Sequence, residues 1–265
     1  MDDGRQHLIS LYEAVSNGTG AQFEGICVPA DLTPSDEDRQ KVRAWLWRVV
    51  LADGTRTLTT AGRWADALAH IEEHRGVGLR MLDGRQVAVI AALGHNPADA
   101  AALVAETAPG EPWEEAVTAC LNVICNRVLH RPADKLLSAL VDNYVQRLPD
   151  HGTTVFDIRL GLSILDLIDQ PESNAARRMA EELHRRTSRA TDGYAARECL
   201  SNPRFTALVT PQHANGVRDL VRACALGSGD LPAPQAARLT MALRLSDEVI
   251  RASISHPQSA PLTGP

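Results

Sequence analysis

Histidine and glutamate side chains are concentrated in one short segment, His70-Ile71-Glu72-Glu73-His74. Histidines four residues apart lie on one face of an α-helix, and their imidazole nitrogens can then bind one zinc ion. A carboxylate beside such an ion can act as a general base, and Glu73 occupies that position. The segment therefore provides a candidate metal site, with His70 and His74 as ligands and Glu73 as the base.

The same segment resembles the HxxEH motif of the inverzincin metallopeptidases over its five residues. That resemblance implies a zinc hydrolase that uses His70, Glu73 and His74. A catalytic zinc also needs a third protein ligand, and no downstream segment identifies one. Histidine and arginine before a terminating glycine, here Arg75 and Gly76, are typical of a helix C-terminus, where the helix dipole is negative. We therefore interpret the segment as a solvated helix end and predict no useful zinc affinity.

Other catalytic signatures are absent from the sequence. It contains no nucleophile elbow, phosphate-binding loop or dinucleotide fingerprint, and its five cysteines include no CxxC pair. The sequence therefore identifies no catalytic residue besides the zinc candidates and predicts no cofactor.

A second pattern lies upstream, in residues 39–75. A helix that contains Trp45 and Trp47 is followed by the turn signal Asp53-Gly54, by TLTTAGR at residues 57–63 and by another helix. This order resembles the wing and last helix of winged-helix domains, which occur both as DNA readers and as interaction modules. The resemblance implies a transcription regulator in which the rest of the chain senses a ligand.

Residues 39–75 also contain positively charged side chains. DNA binding would require them, because contacts with phosphates supply most of the non-specific affinity for DNA. Asp36, Glu37 and Asp38 precede the segment and would repel phosphates, so DNA is a disfavoured partner. The basic residues available for phosphate contacts are Arg39, Lys41, Arg43, Arg48, Arg56 and Arg63.

The elements that must position these residues are predicted to be helices. Alanine and leucine dominate the composition, and only 4% of residues are aromatic, which favours an all-α fold. Two Asp-Gly pairs are hairpin signals, so strands are expected only near Asp53-Gly54 and Asp83-Gly84. The second pair could instead precede a buried helix. The fold class is therefore all-α with a small N-terminal β-hairpin, the possible wing.

Four prolines indicate how the helices are arranged. Pro97, Pro132, Pro171 and Pro211 are separated by 35, 39 and 40 residues, and each precedes a segment with helical spacing of apolar residues. Proline suits the first helical turn, so we predict that each occupies one. The sequences at residues 95–99 (HNPAD) and 130–134 (HRPAD) match at four of five positions. This period is that of helical-hairpin repeats, so the helices form either a hairpin array or an irregular bundle.

The organisation expected from these patterns has three parts: an N-terminal helical segment over 1–80, a helical-hairpin domain over 85–255, and a disordered tail over 256–265. A net charge of −6, a polar N-terminus and the lack of a long apolar run predict a cytoplasmic protein with no membrane partner. We expect a non-catalytic interaction or regulatory protein that binds another protein or a small apolar ligand. The alternatives are the transcription regulator and an enzyme with its site between helices, a zinc hydrolase being the least favoured.

Overall fold

The structure is a computed structural model and describes residues 3–255 except 24, 32, 34, 150, 151 and 228. Thirteen helices and one two-stranded sheet occur in this part of the chain, which confirms an all-α fold with a small N-terminal hairpin. The elements in chain order are α1 (Asp3–Asn17), β1 (Ala21–Phe23), β2 (Ile26–Val28), α2 (Asp36–Thr60), α3 (Trp64–Glu73), α4 (Asp83–Leu93), α5 (Pro97–Ala105), α6 (Pro112–Val128), α7 (Asp134–Gln146), α8 (Thr154–Asp166), α9 (Asn174–Ala190), α10 (Gly193–Ser201), α11 (Pro203–Leu208), α12 (Pro211–Ala223) and α13 (Ala233–Ser255).

The β-hairpin does not lie where the Asp-Gly pairs predicted it. It pairs β1 with β2 in antiparallel register, with Gln22 opposite Cys27. Gly25 follows β1 with φ 81°, a left-handed conformation that glycine adopts without strain. Strands of three residues are too short to show an alternating pattern, so periodicity could not predict them.

Asp53-Gly54 lies inside the 25-residue helix α2, and the prediction of a hairpin there was wrong. Buried residues of α2 recur every four positions, at Leu46, Val50, Gly54 and Leu58. The buried face of the helix is therefore continuous and includes the glycine of the Asp-Gly pair. At the second pair, the alternative of a buried helix is the one observed, because α4 begins at Asp83.

The prolines begin helices only where the preceding residue can cap. Pro97 and Pro211 are first residues of α5 and α12, as predicted, and Asn96 and Thr210 accept N–H hydrogen bonds of those first turns. For Pro132 and Pro171 the prediction was wrong, because each lies just before its helix. Their preceding residues, arginine and glutamine, are poor N-caps, so α7 and α9 begin later along the chain.

The helices are packed in two different ways. From α1 to α7, each helix packs mainly against its neighbours in sequence, and α4 also contacts α6, as in a series of stacked hairpins. From α8 onward the packing is irregular, because α10 contacts α8, α9 and α12. The largest hydrophobic cluster extends from Met81 to Val217, and a smaller one joins Leu58, Ala67, Ile71 and Val87.

Among the helices that the structure describes, none has both the length and the apolar composition needed to cross a membrane. The five cysteines are free thiols. The predicted disordered tail, 256–265, lies outside the described residues.

Candidate functional site

The predicted metal-site residues lie at the C-terminal end of α3, where His70, Glu73 and His74 offer ligand atoms within 4.8 Å of one another. Their environments differ. His70 is only 2% exposed, so the interpretation of a solvated helix end is wrong for this residue. Glu73 is exposed, His74 is half-buried, and both line an open cleft of about 390 Å³ beside Tyr12 and Trp47. His70 does not line that cleft, so only two of the three candidates face the accessible space.

Hydrogen bonds fix both imidazole rings. Nε2 of His70 lies 3.0 Å from the carbonyl oxygen of Val50, which can only accept, so Nε2 carries the proton. Nδ1 of His70 is then an acceptor, and Nη1 of Arg5 donates to it at 3.4 Å. Nδ1 of His74 donates to the carbonyl oxygen of His70 at 2.8 Å, so His74 satisfies a carbonyl of the last helical turn. Nε1 of Trp47 donates to the His74 carbonyl at 3.1 Å.

The charges around His70 disfavour a cation. Burial lowers the pKa of its imidazole, and the neighbouring His74 and Arg5 lower it further. The hydrogen bond to Val50 raises this pKa but does not outweigh the other effects. A neutral imidazole is the form that binds zinc, but its available lone pair, on Nδ1, faces the guanidinium of Arg5. A zinc ion would have to displace that positive charge.

We therefore predict that the purified protein contains no stoichiometric zinc. Two imidazoles and one exposed carboxylate are too few ligands for a structural site. In addition, Arg5 lies where a zinc ion would have to bind Nδ1 of His70. Elemental analysis after purification measures the metal content. One equivalent of zinc in the wild type that disappears in the double variant His70→Ala, His74→Ala would refute this prediction.

Gly54 is the residue on α2 that makes room for the His70 ring. A Cβ at Gly54 would overlap with the imidazole, chiefly at Nε2. We expect Gly54→Ala to lower the free energy of unfolding by about 1–3 kcal/mol, because a buried ring would have to move. Chemical denaturation measures the change. The matched control is Gly216→Ala in α12, where a Cβ meets no atom within 4 Å and should be neutral or slightly stabilising. Equal effects of the two substitutions would contradict the proposed fit.

Residues 39–75 do not form a winged-helix arrangement. The segment 57–63 comprises the end of α2 and the turn into α3, so no wing strand is present between these helices. Several of the basic residues considered for DNA contacts form ion pairs with acids of their own segments, which reduces the net positive charge. These ion pairs are Arg39–Asp36, Lys41–Glu37, Arg56–Asp53 and Arg63–Asp66.

Among the residues that the structure describes, the last helix, α13, carries more exposed large hydrophobic side chains than any other element. It contains 23 residues and packs extensively against no other described element. Six of its large hydrophobic side chains are 49–65% exposed, which is unusual for residues of this type on one helix. They are Leu239, Met241, Leu243, Leu245, Val249 and Ile250.

Two features of the structure correspond to no motif recognised in the sequence. One is the isolation of α13, which the sequence predicted as a helix but not as an unpacked one. The other is a cleft at the C-terminal end of α9, where Arg185, Arg186 and Arg189 come together. The arginine-rich string RRTSR at 185–189 was the signal available for it. Comparison of the chain with protein-family models, with curated proteins and with solved structures gave no match.

Proposed function

We propose that the protein is a helical interaction protein that self-associates through α13. The observation that carries the proposal is the exposed apolar surface of this helix. Helices in proteins owe most of their stability to the packing of an apolar face, and α13 has no extensive packing of this kind against the other described elements. A helix with this surface needs a partner.

The apolar surface covers more than one side of α13. At helical spacing, Leu239, Leu243 and Ile250 form one row, and Met241 and Leu245 belong to another. A single neighbouring helix would cover one of these rows and leave the other in water. The arrangement is therefore suited to a helix that contacts two neighbours in a bundle. The remaining side is polar and contains Thr240, Arg244, Asp247, Glu248 and Arg251.

The charges of α13 favour a second copy of this chain over a strongly charged partner. The helix contains three arginines and two acids, and Arg251 pairs with Asp247 at 2.8 Å. Such a near-neutral helix repels its own copy only weakly, and its single excess positive charge is too small to attract an anionic surface strongly. Five clefts within the described residues measure about 350–400 Å³, and each is far smaller than a helix of this length.

The area available is sufficient for a stable contact. Covering all six exposed side chains, which requires a neighbour on each row, would remove roughly 600 Å² per chain from water, or on the order of 1,200 Å² for every two chains. That is the lower end of the range for specific protein interfaces.

The oligomeric state of the full chain tests the proposal, measured by size-exclusion chromatography with light scattering. We expect a mass of at least twice the 28.6 kDa of one chain. Leu243→Glu places a charge in the apolar surface and should give the monomer, because an unpaired buried charge strongly disfavours association. Thr240→Glu adds the same charge to the polar side of the same helix and should leave the oligomer intact.

Two results would overturn the proposal. One is a wild-type protein that remains monomeric at concentrations of tens of micromolar. The other is equal dissociation by the two glutamate variants, which would show that net charge and not the apolar surface controls the assembly. Circular dichroism of each variant distinguishes dissociation from unfolding.

A further inference from the structure

A cleft of about 380 Å³ lies where α7 ends, α8 begins and α9 ends. Its polar wall contains Arg185, Arg186 and Arg189 from the last turns of α9. Guanidinium groups bind oxyanions through paired N–H donors, so three of them in one cleft suit an anionic ligand.

Arg186 is the buried member of this wall, with its side chain only 3% exposed. Its Nε donates to Glu182 at 2.6 Å, and its Nη2 donates to the carbonyl oxygens of Tyr144 at 2.6 Å and Arg147 at 2.7 Å. The guanidinium carbon also lies 4.2 Å from the centroid of the Tyr144 ring. The remaining nitrogen, Nη1, is buried and has no hydrogen-bond partner within the described part of the chain. A buried donor without an acceptor costs free energy, and an oxyanion that binds against Arg186 at the cleft wall would supply that acceptor once the guanidinium shifts toward it.

The first turn of α8 contributes a second set of donors to the same cleft. Thr153 occupies the N-cap position, but its side chain does not cap the helix and donates instead to Asp157 at 2.9 Å. The N–H groups of the first turn, beginning at Thr154, therefore have no cap from that residue, and Thr154 lines the cleft. Free N–H groups at a helix N-terminus attract anions, and the positive end of the helix dipole adds to this.

The charges near the cleft sum to an excess of positive charge among the described residues. Arg147 pairs with Asp157, and Glu182 pairs with both Arg185 and Arg186. Arg189 is exposed at the end of α9 and lines the cleft. Among the described residues, four arginines and two carboxylates therefore lie in or beside the cleft, and one of these carboxylates, that of Asp157, lines it. One or two negative charges on a ligand would balance the excess.

The lining of the cleft also has an apolar part, which consists of Leu148, Pro149 and Ala190. Leu148 is 82% exposed, which is unusual for leucine, and a ligand in the cleft would cover it. The volume exceeds what a bare phosphate ion needs. We propose that the cleft binds a soluble small molecule in which a phosphate monoester is joined to a compact apolar body. The phosphate contacts the arginines and the start of α8, and the apolar body packs against Leu148 and Pro149.

Calorimetric titration of the full chain with phenyl phosphate tests this site, with inorganic phosphate as the second probe. We expect phenyl phosphate to bind more tightly than phosphate. Arg189→Gln should weaken phenyl phosphate binding about tenfold or more, because a charge-assisted hydrogen bond is lost. The matched control is Arg177→Gln, which removes the same charge from an exposed position on α9 outside the cleft and should leave binding unchanged.

The other outcomes overturn the proposal. No heat of binding at millimolar phenyl phosphate would show that the cleft is not a ligand site. Equal weakening by both arginine variants would show only general electrostatic attraction. Equal affinities for inorganic phosphate and phenyl phosphate would show that the apolar body contributes nothing to binding, which contradicts the proposed ligand. Capture by phosphatidic acid vesicles without binding of phenyl phosphate would indicate a membrane surface instead of a soluble ligand. None of these results depends on the oligomeric state of α13.

Discussion

Glu182→Ala is expected to lower the free energy of unfolding by about 3–5 kcal/mol, the cost of leaving a buried charge without its counter-ion. The Glu182 carboxylate is buried and accepts hydrogen bonds from Arg185 and Arg186, in both cases at 2.6 Å from the arginine Nε. Arg185 is partly exposed and can turn toward water. The buried guanidinium of Arg186 cannot, so it would remain in the protein interior with two backbone carbonyls as its acceptors.

The measurement is chemical denaturation at neutral pH, compared with Glu181→Ala. Glu181 is the preceding residue on α9 and is exposed, so its removal should change the free energy of unfolding by less than about 0.5 kcal/mol. Similar stabilities for the two variants would mean that Glu182 contributes no more than a surface acid.

The effect of Glu182 should depend on pH in one direction. Burial alone would raise the pKa of its carboxyl group, but the hydrogen bonds from Arg185 and Arg186 outweigh burial and hold the pKa below its usual value. A carboxyl whose pKa is lower in the folded state stabilises the fold above the unfolded pKa of about 4.3, and this contribution is lost as the pH falls through the folded pKa. The difference in stability between the wild type and Glu182→Ala should therefore shrink as the pH falls below about 4. A constant difference down to pH 3 would contradict the assigned cause.

Helix boundaries were predictable where one local interaction decides them. Asn96-Pro97 and Thr210-Pro211 combine a capping side chain with a residue that tolerates the first helical turn, and both helices begin there. Pro132 has no such residue before it, and α7 begins two residues later. Proline alone is therefore a weaker signal than proline preceded by a cap.

The error at Asp53-Gly54 has a different cause. An Asp-Gly pair is a hairpin signal only if the flanking residues pair as strands, and the four-residue spacing of buried positions in α2 opposes that. Gly54 is needed because the ring of His70 packs against it, and His70 lies 16 positions further along the chain, on α3. Local sequence patterns contain no information on such a contact.

The candidate sites were least predictable, because they depend on contacts between distant segments. Motif spacing grouped His70, Glu73 and His74, whose ligand atoms lie within 4.8 Å of one another, but it contained no sign that Arg5, from α1, faces the His70 ring. The arginine-lined cleft joins the ends of three helices, and none of them carries a known binding motif. Helical periodicity predicted α13 as a helix, but only the tertiary structure shows that no other described element packs extensively against it.

The short helix α11 illustrates how such distant contacts hold the irregular half of the molecule together. It contains six residues, too few to be stable alone, and packs against α8, α9 and α10. Nη1 of Arg204 donates to the carbonyl oxygens of Leu165 at 2.9 Å and Asp166 at 2.8 Å, and its Nη2 donates to that of Ile168. These carbonyls lie at or just beyond the end of α8, where the regular i→i+4 hydrogen bonds stop, so Arg204 of α11 supplies them with additional donors.

Phe205 anchors α11, and Phe205→Ala is expected to lower the free energy of unfolding by about 3–5 kcal/mol. Its ring is fully buried and is the only buried side chain of α11, so its removal leaves a cavity among four helices and frees the element that satisfies the end of α8. Phe205→Leu fills most of the same volume and should cost less than half as much. Thermal and chemical denaturation of both variants measure the difference. If Phe205→Ala cost no more than about 1 kcal/mol, α11 would be a dispensable surface turn, and Arg204 rather than Phe205 would have to hold it against α8.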